Sequence, residues 1–303
     1  FFMRRLGKSL ARKYFQDFPR EVAIITTVGF FVALGYGVVV PIIPVFAKSF
    51  GVSTLAATSV VSVFAAMRLV AATPGGRLVN HFGERIMLWT GLSVVAISSL
   101  LAGLSQTFTQ LLILRGMGGL GSVMFSISSM SLLMRSVEPE KRGRASATYQ
   151  GGFLLGSLSG PALGGLIVNS NIRAPFFIYT FTLVLAISTA YFALPKGLGK
   201  AVHADPESTK VFMPVSEAMK LRSYWAALFA NFANGFSSFG LRVALIPLFV
   251  IEVLNGSPSL ASQGFFVAAI IQAAMLIPAG RVSDFKSRKL AILIGSVLLS
   301  AGL

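Results

Sequence analysis

Three arginines stand in runs of residues that water does not reach. Arg68, Arg115 and Arg242 each interrupt a long apolar stretch. A guanidinium at membrane depth costs on the order of 2–3 kcal/mol even on the mildest insertion scale. Such a group therefore marks either an ion or substrate path or a structural bond to neighbouring carbonyls. Arg68 has a third option, because an arginine near a helix end can run its stem along the apolar surface and place its charge at the interface. Asn231, Asn234 and Ser238 are spaced i, i+3 and i+7, which puts them on one face of one helix. Polar groups so placed line a cavity and contact a substrate, or they join helices at about 0.6 kcal/mol per hydrogen bond.

The acids are as informative by position. There are ten, and none lies deep inside the first eight apolar runs. A proton-driven pump needs a titrating group in its path. Here that group is Glu252 at the end of a run, or it lies beyond this chain, or transport is not proton-coupled. No cysteine is present, and no His/Asp/Glu cluster offers a metal site or a catalytic constellation. Gly116 to Gly121 satisfies G-x-G-x-x-G. A dinucleotide site needs a strand before that string and a helix opening at it, whereas this copy lies inside a single apolar run. No cofactor and no enzymatic activity are expected.

The elements that hold these residues are membrane spans. The 303 residues are 54% hydrophobic and only 12% charged, with a mean hydropathy of +0.77, against about 25% charge in a soluble domain. The net charge of +16 does not point to nucleic acid, because the basic residues sit in short loops. Residues 1–21 form a basic segment suited to lie on anionic headgroups. Six spans are expected within 22–194, at roughly 22–47, 54–77, 86–104, 109–134, 146–168 and 175–194. A polar linker covers 195–222. A partial second bundle occupies 223–303, with spans at roughly 223–252 and 259–280 and a third starting near Leu290. That last run is too short to cross a bilayer, which takes about 20 residues, so the chain is expected to be a fragment of a longer protein.

All but five of the 26 lysines and arginines fall in the N-terminal segment and in every second loop after the second span. The five are Lys48 and Arg173, in the opposite loops, and the three intramembrane arginines. By the positive-inside rule the N-terminus is cytoplasmic. The loop after the second span, GGRLVNHFGERI, is echoed after the eighth by AGRVSDFKSRKL. Gly76 matches Gly280, Arg77 Arg281, Leu78 Val282, Asn80 Asp284 and Arg85 Lys289. Two parallel halves are the arrangement such an echo implies.

The fifth span carries Gly152, Gly156, Gly160 and Gly164 every four residues, a small-residue stripe that admits another helix backbone to backbone. Pro161 within it removes a donor and crowds the carbonyl of Ser157. Taken alone, this is a helix-packing seam. The whole string GSLSGPALGGLI, Gly156 to Ile167, resembles the antiporter motif G-x-x-x-G-P-x-x-G-G of the major facilitator superfamily, with Gly156, Gly160, Pro161, Gly164 and Gly165 all in place. LLILRGMGGLGS around Arg115 is similar to that family's fourth-helix motif, and LGYGVVVPIIP resembles the first-helix signature of its twelve-helix drug/proton antiporters. The loop 76–85 resembles the family's G-x-L-x-D-R-x-G-R-R, with Asn80 in place of Asp, His81 of Arg and Glu84 of a base.

The resemblance implies an all-α polytopic membrane fold and a secondary active transporter that exports drugs or metabolites by alternating access. It implies proton antiport, a small-molecule site near the midplane, a monomer, and the plasma (inner) membrane of a bacterium. It also implies roles. The fifth-span glycines shape the seam between rocking halves and Arg115 supports coupling. Gly76, Asn80, Gly83, Arg85 and Asp284 form a cytoplasmic latch, while Asn231, Asn234, Ser238 and Arg68 line the cavity. The alternatives are a sugar or nutrient importer of the same fold, a membrane sensor, and an inactive truncated product.

Overall fold

Short polar punctuation cuts the apolar runs into helices that pair with one another. The computed structural model describes residues 18–167, 171–195, 215–237, 254, 267, 270–272, 274–275, 278–283 and 287–302. Helix α1 is Arg20–Val39. It is followed by a single 3₁₀ turn, Val40–Ile42, with Pro41 in its first positions, and by the short helix Ile43–Lys48. The break expected from the Gly- and Pro-rich outer half of the first span is thus one tightened turn, where proline's fixed φ suits a new start. Helix α2 is Thr54–Phe82, opened by the Ser53 hydroxyl accepting from the Ala56 N–H. Helix α3 is Glu84–Leu104. Helix α4 is Phe108–Arg135, capped by Thr107 accepting from the Gln110 N–H. These caps satisfy amide donors that have no partner inside the helix.

Helix α5, Arg142–Ile167, runs through Pro161 without ending, and α6 is Ala174–Ala193. Five helices, α1 to α4 and α6, are long and apolar enough to cross a membrane. Helix α1 packs against α5 and α6, α4 against α2 and α3, and α3 against α6. The core holds Ile25, Phe46, Leu88, Leu92, Leu111, Leu132, Phe176 and Tyr179, all essentially closed to solvent. The outward faces carry Leu55, Leu69, Phe181 and Phe192. Such a surface is stable only in lipid, since large exposed apolar area is otherwise a liability.

The chain divides into two compact units, residues 1–204 with 273–303 and residues 205–272. In the first, a last helix spans Arg288–Ala301, with Ser287 accepting from the Leu290 N–H. In the second, a short turn of helix at Val215–Ala218 precedes α7, Arg222–Gly235. Among the described residues there is no strand. The architecture is the all-helical, polytopic one expected.

One boundary differs in a way that matters. The sequence reading ends the second span near Arg77, where the polar loop residues begin. Helix α2 continues to Phe82. Its chain breaks only at Gly83, whose φ of 87° and ψ of 153° lie in a region essentially reserved for glycine. The turn between the second and third spans is therefore one residue long.

Candidate transport site

The glycine face of α5 is spent on α1. A methyl placed on Gly152 would lie 2.5 Å from Cγ2 of Thr26, and one on Gly160 would lie 2.6 Å from the backbone of Gly37 and from the Leu34 carbonyl oxygen. Gly156 presses against the Phe30 carbonyl. At Gly156 and Gly160 these are contacts with the α1 backbone itself, whereas Gly152 meets the Thr26 side chain. The return contact is made by α1, where Gly29 makes room for the ring of Tyr149. Gly164 and Gly165 continue the same helix.

Helix α4 places Arg115 and spends its glycines in two directions. Gly119 would bring a methyl to 2.5 Å from the Phe64 carbonyl oxygen on α2. Gly121 would bring one to 2.6 Å from the Gly91 carbonyl oxygen on α3. The string that imitates a dinucleotide motif is therefore a double packing surface. Arg115 itself is only 3% exposed. Its guanidinium lies 4.6 Å from the centre of the Phe64 ring, a cation–π contact that gains strength in a desolvated site. Tyr36 stands 6.0 Å from Phe64 and 6.3 Å from Tyr179, ring to ring. Arg115 Nε has no hydrogen-bond partner.

Arg68 occupies the middle of α2, fourteen residues from either end of Thr54–Phe82. At 1.5 Å per residue that is about 21 Å from each terminus. Arg68 donates from Nη1 to the Ser122 hydroxyl at the middle of α4, while its neighbours Leu69 and Val70 face outward.

Where the N-terminus of α3 meets the C-terminus of α4, the charged residues form bonds with one another and with neighbouring carbonyls. Glu84, at the first position of α3, is 3% exposed. It pairs with Arg135 at 3.0 Å and accepts from the Ser131 hydroxyl at 2.8 Å. The acid sits at a helix N-terminus and the base at a helix C-terminus, the favourable sense for both helix dipoles. Arg85 donates to the Pro195 carbonyl at 3.0 Å and to the Tyr191 carbonyl at 3.3 Å, closing the C-terminal end of α6. Its guanidinium also covers Trp89 at 4.6 Å. Asn80 is exposed on the last turns of α2.

The two echoed glycines differ. A methyl on Gly76 would meet nothing within 4 Å, whereas one on Gly280 would lie 3.0 Å from Cβ of Ala147 and 3.3 Å from the Gly143 carbonyl oxygen on α5. Asn231 and Asn234 are exposed on α7. Ser238, Arg242, Glu252 and Asp284 lie outside the described residues.

Sequence reasoning missed two groups. The Glu84–Arg135–Ser131 clamp was hidden because Glu84 reads as a departure from a motif, and only the buried acid shows that α4 supplies its base. The tyrosines Tyr36, Tyr149 and Tyr179 read as ordinary apolar-span residues. Tyr36 and Tyr179 join Phe64 and Arg115 only once the helices are laid side by side.

A bundle of long apolar helices with ion pairs at one end, one enclosed arginine and one half-buried arginine within its spans defines an integral membrane protein of the polytopic helical class. The chain belongs to the Major Facilitator Superfamily, whose family model matches residues 25–303. Multidrug resistance protein 1 of Bacillus subtilis (strain 168) is 31% identical over 172 residues, 55% of this chain and 43% of that protein. The quinolone resistance protein NorA of Staphylococcus aureus (strain MRSA252) is 28% identical over 49% of this chain and 38% of its own. An uncharacterized MFS-type transporter of Methanocaldococcus jannaschii is 24% identical over 94% of this chain and 73% of its own. The peptide transporter POT, solved in complex with sulfate, shares the fold with a TM-score of 0.56 at 16% identity, over 78% of this chain and 51% of that one. The chain thus spans about half the length of several relatives it matches. The family and these relatives are transporters, not enzymes.

Proposed function

We propose that this protein exports small molecules, drugs or metabolites, by alternating access in the plasma membrane, as a monomer with a cytoplasmic N-terminus and in exchange for protons. The observation that carries the reading is the α1–α5 seam. Gly156 and Gly160 of an antiporter-type glycine string make backbone contact with α1, and the relatives that the chain matches include multidrug and quinolone resistance proteins.

In this reading Arg115, enclosed by Phe64 and without a partner at Nε, supports coupling. Gly76, Asn80, Gly83 and Asp284 form the cytoplasmic latch, and Arg85 contributes by holding α3 on α6. Arg68, Asn231, Asn234 and Ser238 line the path. The Gly280 contact with α5 supports the latch, because it joins the echoed second turn to the helix that carries the seam.

The test is dye retention in efflux-deficient cells expressing the full reading frame, with and without a protonophore. Faster dye loss that the protonophore abolishes is the expected result. Dye loss that survives the protonophore removes proton exchange and keeps export. Dye uptake in place of loss removes export.

A further inference from the structure

The N-terminal bundle holds two guanidiniums at membrane depth and no acid beside either. Among the described residues of α1 to α6 and their loops, the acids are Glu21, Glu84, Glu138 and Glu140, all at the cytoplasmic rim. The ion pairs there are Arg135–Glu84 and Lys141–Glu138.

The two arginines are not equivalent. Arg115 is enclosed, with its face on Phe64. Arg68 is only half-buried, at the midpoint of its helix, and the Ser122 hydroxyl takes one of its donors. A guanidinium carries five N–H donors in a planar fork shaped for a carboxylate. Four remain for another partner. The surroundings are suited to an acceptor as well. The hydroxyl of Ser128, six residues along the helix that holds Ser122, is fully buried and has no hydrogen-bond partner. Buried polar groups of native proteins are nearly all paired, so this depth of the bundle has unspent donors and an unbalanced positive charge.

We propose that Arg68 is the receptor for a carboxylate on the transported molecule, and that the protein therefore takes amphipathic organic anions in preference to lipophilic cations. A carboxylate arriving at Arg68 accepts two parallel N–H bonds. It also neutralises a charge that is otherwise costly at this depth. The inference rests on the reading of the chain as a transporter, and the experiment separates the two.

The full-length protein is purified in detergent, and binding is followed by fluorescence anisotropy with two dyes on one xanthene frame, the anion carboxyfluorescein and the cationic ester rhodamine 6G. The expected result is tighter binding of carboxyfluorescein, by about tenfold. The Arg68→Gln variant is expected to lower the carboxyfluorescein-to-rhodamine ratio by about tenfold, and Arg68→Lys, which keeps the charge and loses the fork, by about threefold. A thermal melt of each variant accompanies the titration. Should Arg68→Gln fail to fold, the Lys variant and competition of 2-naphthoate against carboxyfluorescein on the wild type decide the matter. Naphthoate is expected to displace the dye and 2-naphthylmethylamine is not.

Equal or tighter binding of rhodamine 6G overturns the proposal, as does absent carboxyfluorescein binding or a ratio unmoved by Arg68→Gln. That last outcome makes Arg68 a helix–helix bond to Ser122 only. Dye accumulation in everted vesicles is the separate arm. Arg68-dependent binding without accumulation keeps the anion site and removes the export reading.

Discussion

Helices α4 and α5 are both glycine-rich, and they use their glycines differently. In α5 the spacing is four, so Gly152, Gly156 and Gly160 share one face and meet one partner, α1. In α4 the glycines fall at 116, 118, 119 and 121, which turns successive pairs to opposite sides. Gly116 and Gly119 meet α2, while Gly118 and Gly121 meet α3. One helix makes a seam and the other makes a hub. The lesson is that glycine content marks close approach, and only its period tells how many neighbours approach.

The comparison can be broken most severely on the seam. Gly160→Leu would drive a side chain into the backbone of Gly37. Overpacking of this kind costs about 3 kcal/mol or more. The variant is expected to lose its monodisperse peak in size-exclusion chromatography, and retention of a normal peak and melting temperature would remove the seam.

The hub gives a paired test. Gly119→Ala meets the Phe64 carbonyl and cannot move it, whereas Gly118→Ala meets the Ser98 hydroxyl at 2.8 Å, a side chain that can turn. We expect roughly 1–3 kcal/mol of destabilisation for the first and less for the second, read as the difference in melting temperature. Equal losses would mean that the two faces are not distinct.

Gly83→Ala tests the one-residue turn between α2 and α3. A residue with a Cβ at that φ and ψ costs on the order of 1–3 kcal/mol, and Gly83→Asn is expected to recover little, because this is not the left-handed helical region that asparagine tolerates. The smallest effect is expected at Gly76. Its site is open and helical, so Gly76→Ala should raise stability by about 0.5–1 kcal/mol. Gly280→Ala, with Ala147 at 3.0 Å, should not. A fall in stability at Gly76 would show that a neighbour covers it.

Much of the fold was legible because lipid imposes long apolar helices and leaves charge at the rims. The spans were readable to within a few residues for α3, α4 and α6, and for the first span once its 3₁₀ turn and short outer helix are counted with α1. The end of α2 was not, since proline and paired glycines usually stop a helix in water. In a membrane helix the neighbouring protein can satisfy the carbonyl that proline frees. That single boundary sets how far Arg68 stands from the end of its helix. The α5 stripe announced a close contact but not its partner, because spacing reports a face and α1 is more than a hundred residues away. Glu84 and Arg135 were each visible as charges. Their pairing needed the antiparallel register of α3 and α4, which no local pattern encodes.

The seam has a mechanical consequence. Side chains packed between helices act as a compliant layer, since each can change rotamer and let the surfaces slip by an ångström or so. Between α1 and α5 that layer is missing at Gly156 and Gly160, where main chain lies on main chain. The pair has no soft coordinate along which to shear, so it behaves as one stiff beam. Bending has to be taken up where the beam is interrupted, and α1 is interrupted at Val40–Ile42, just beyond the last glycine contact.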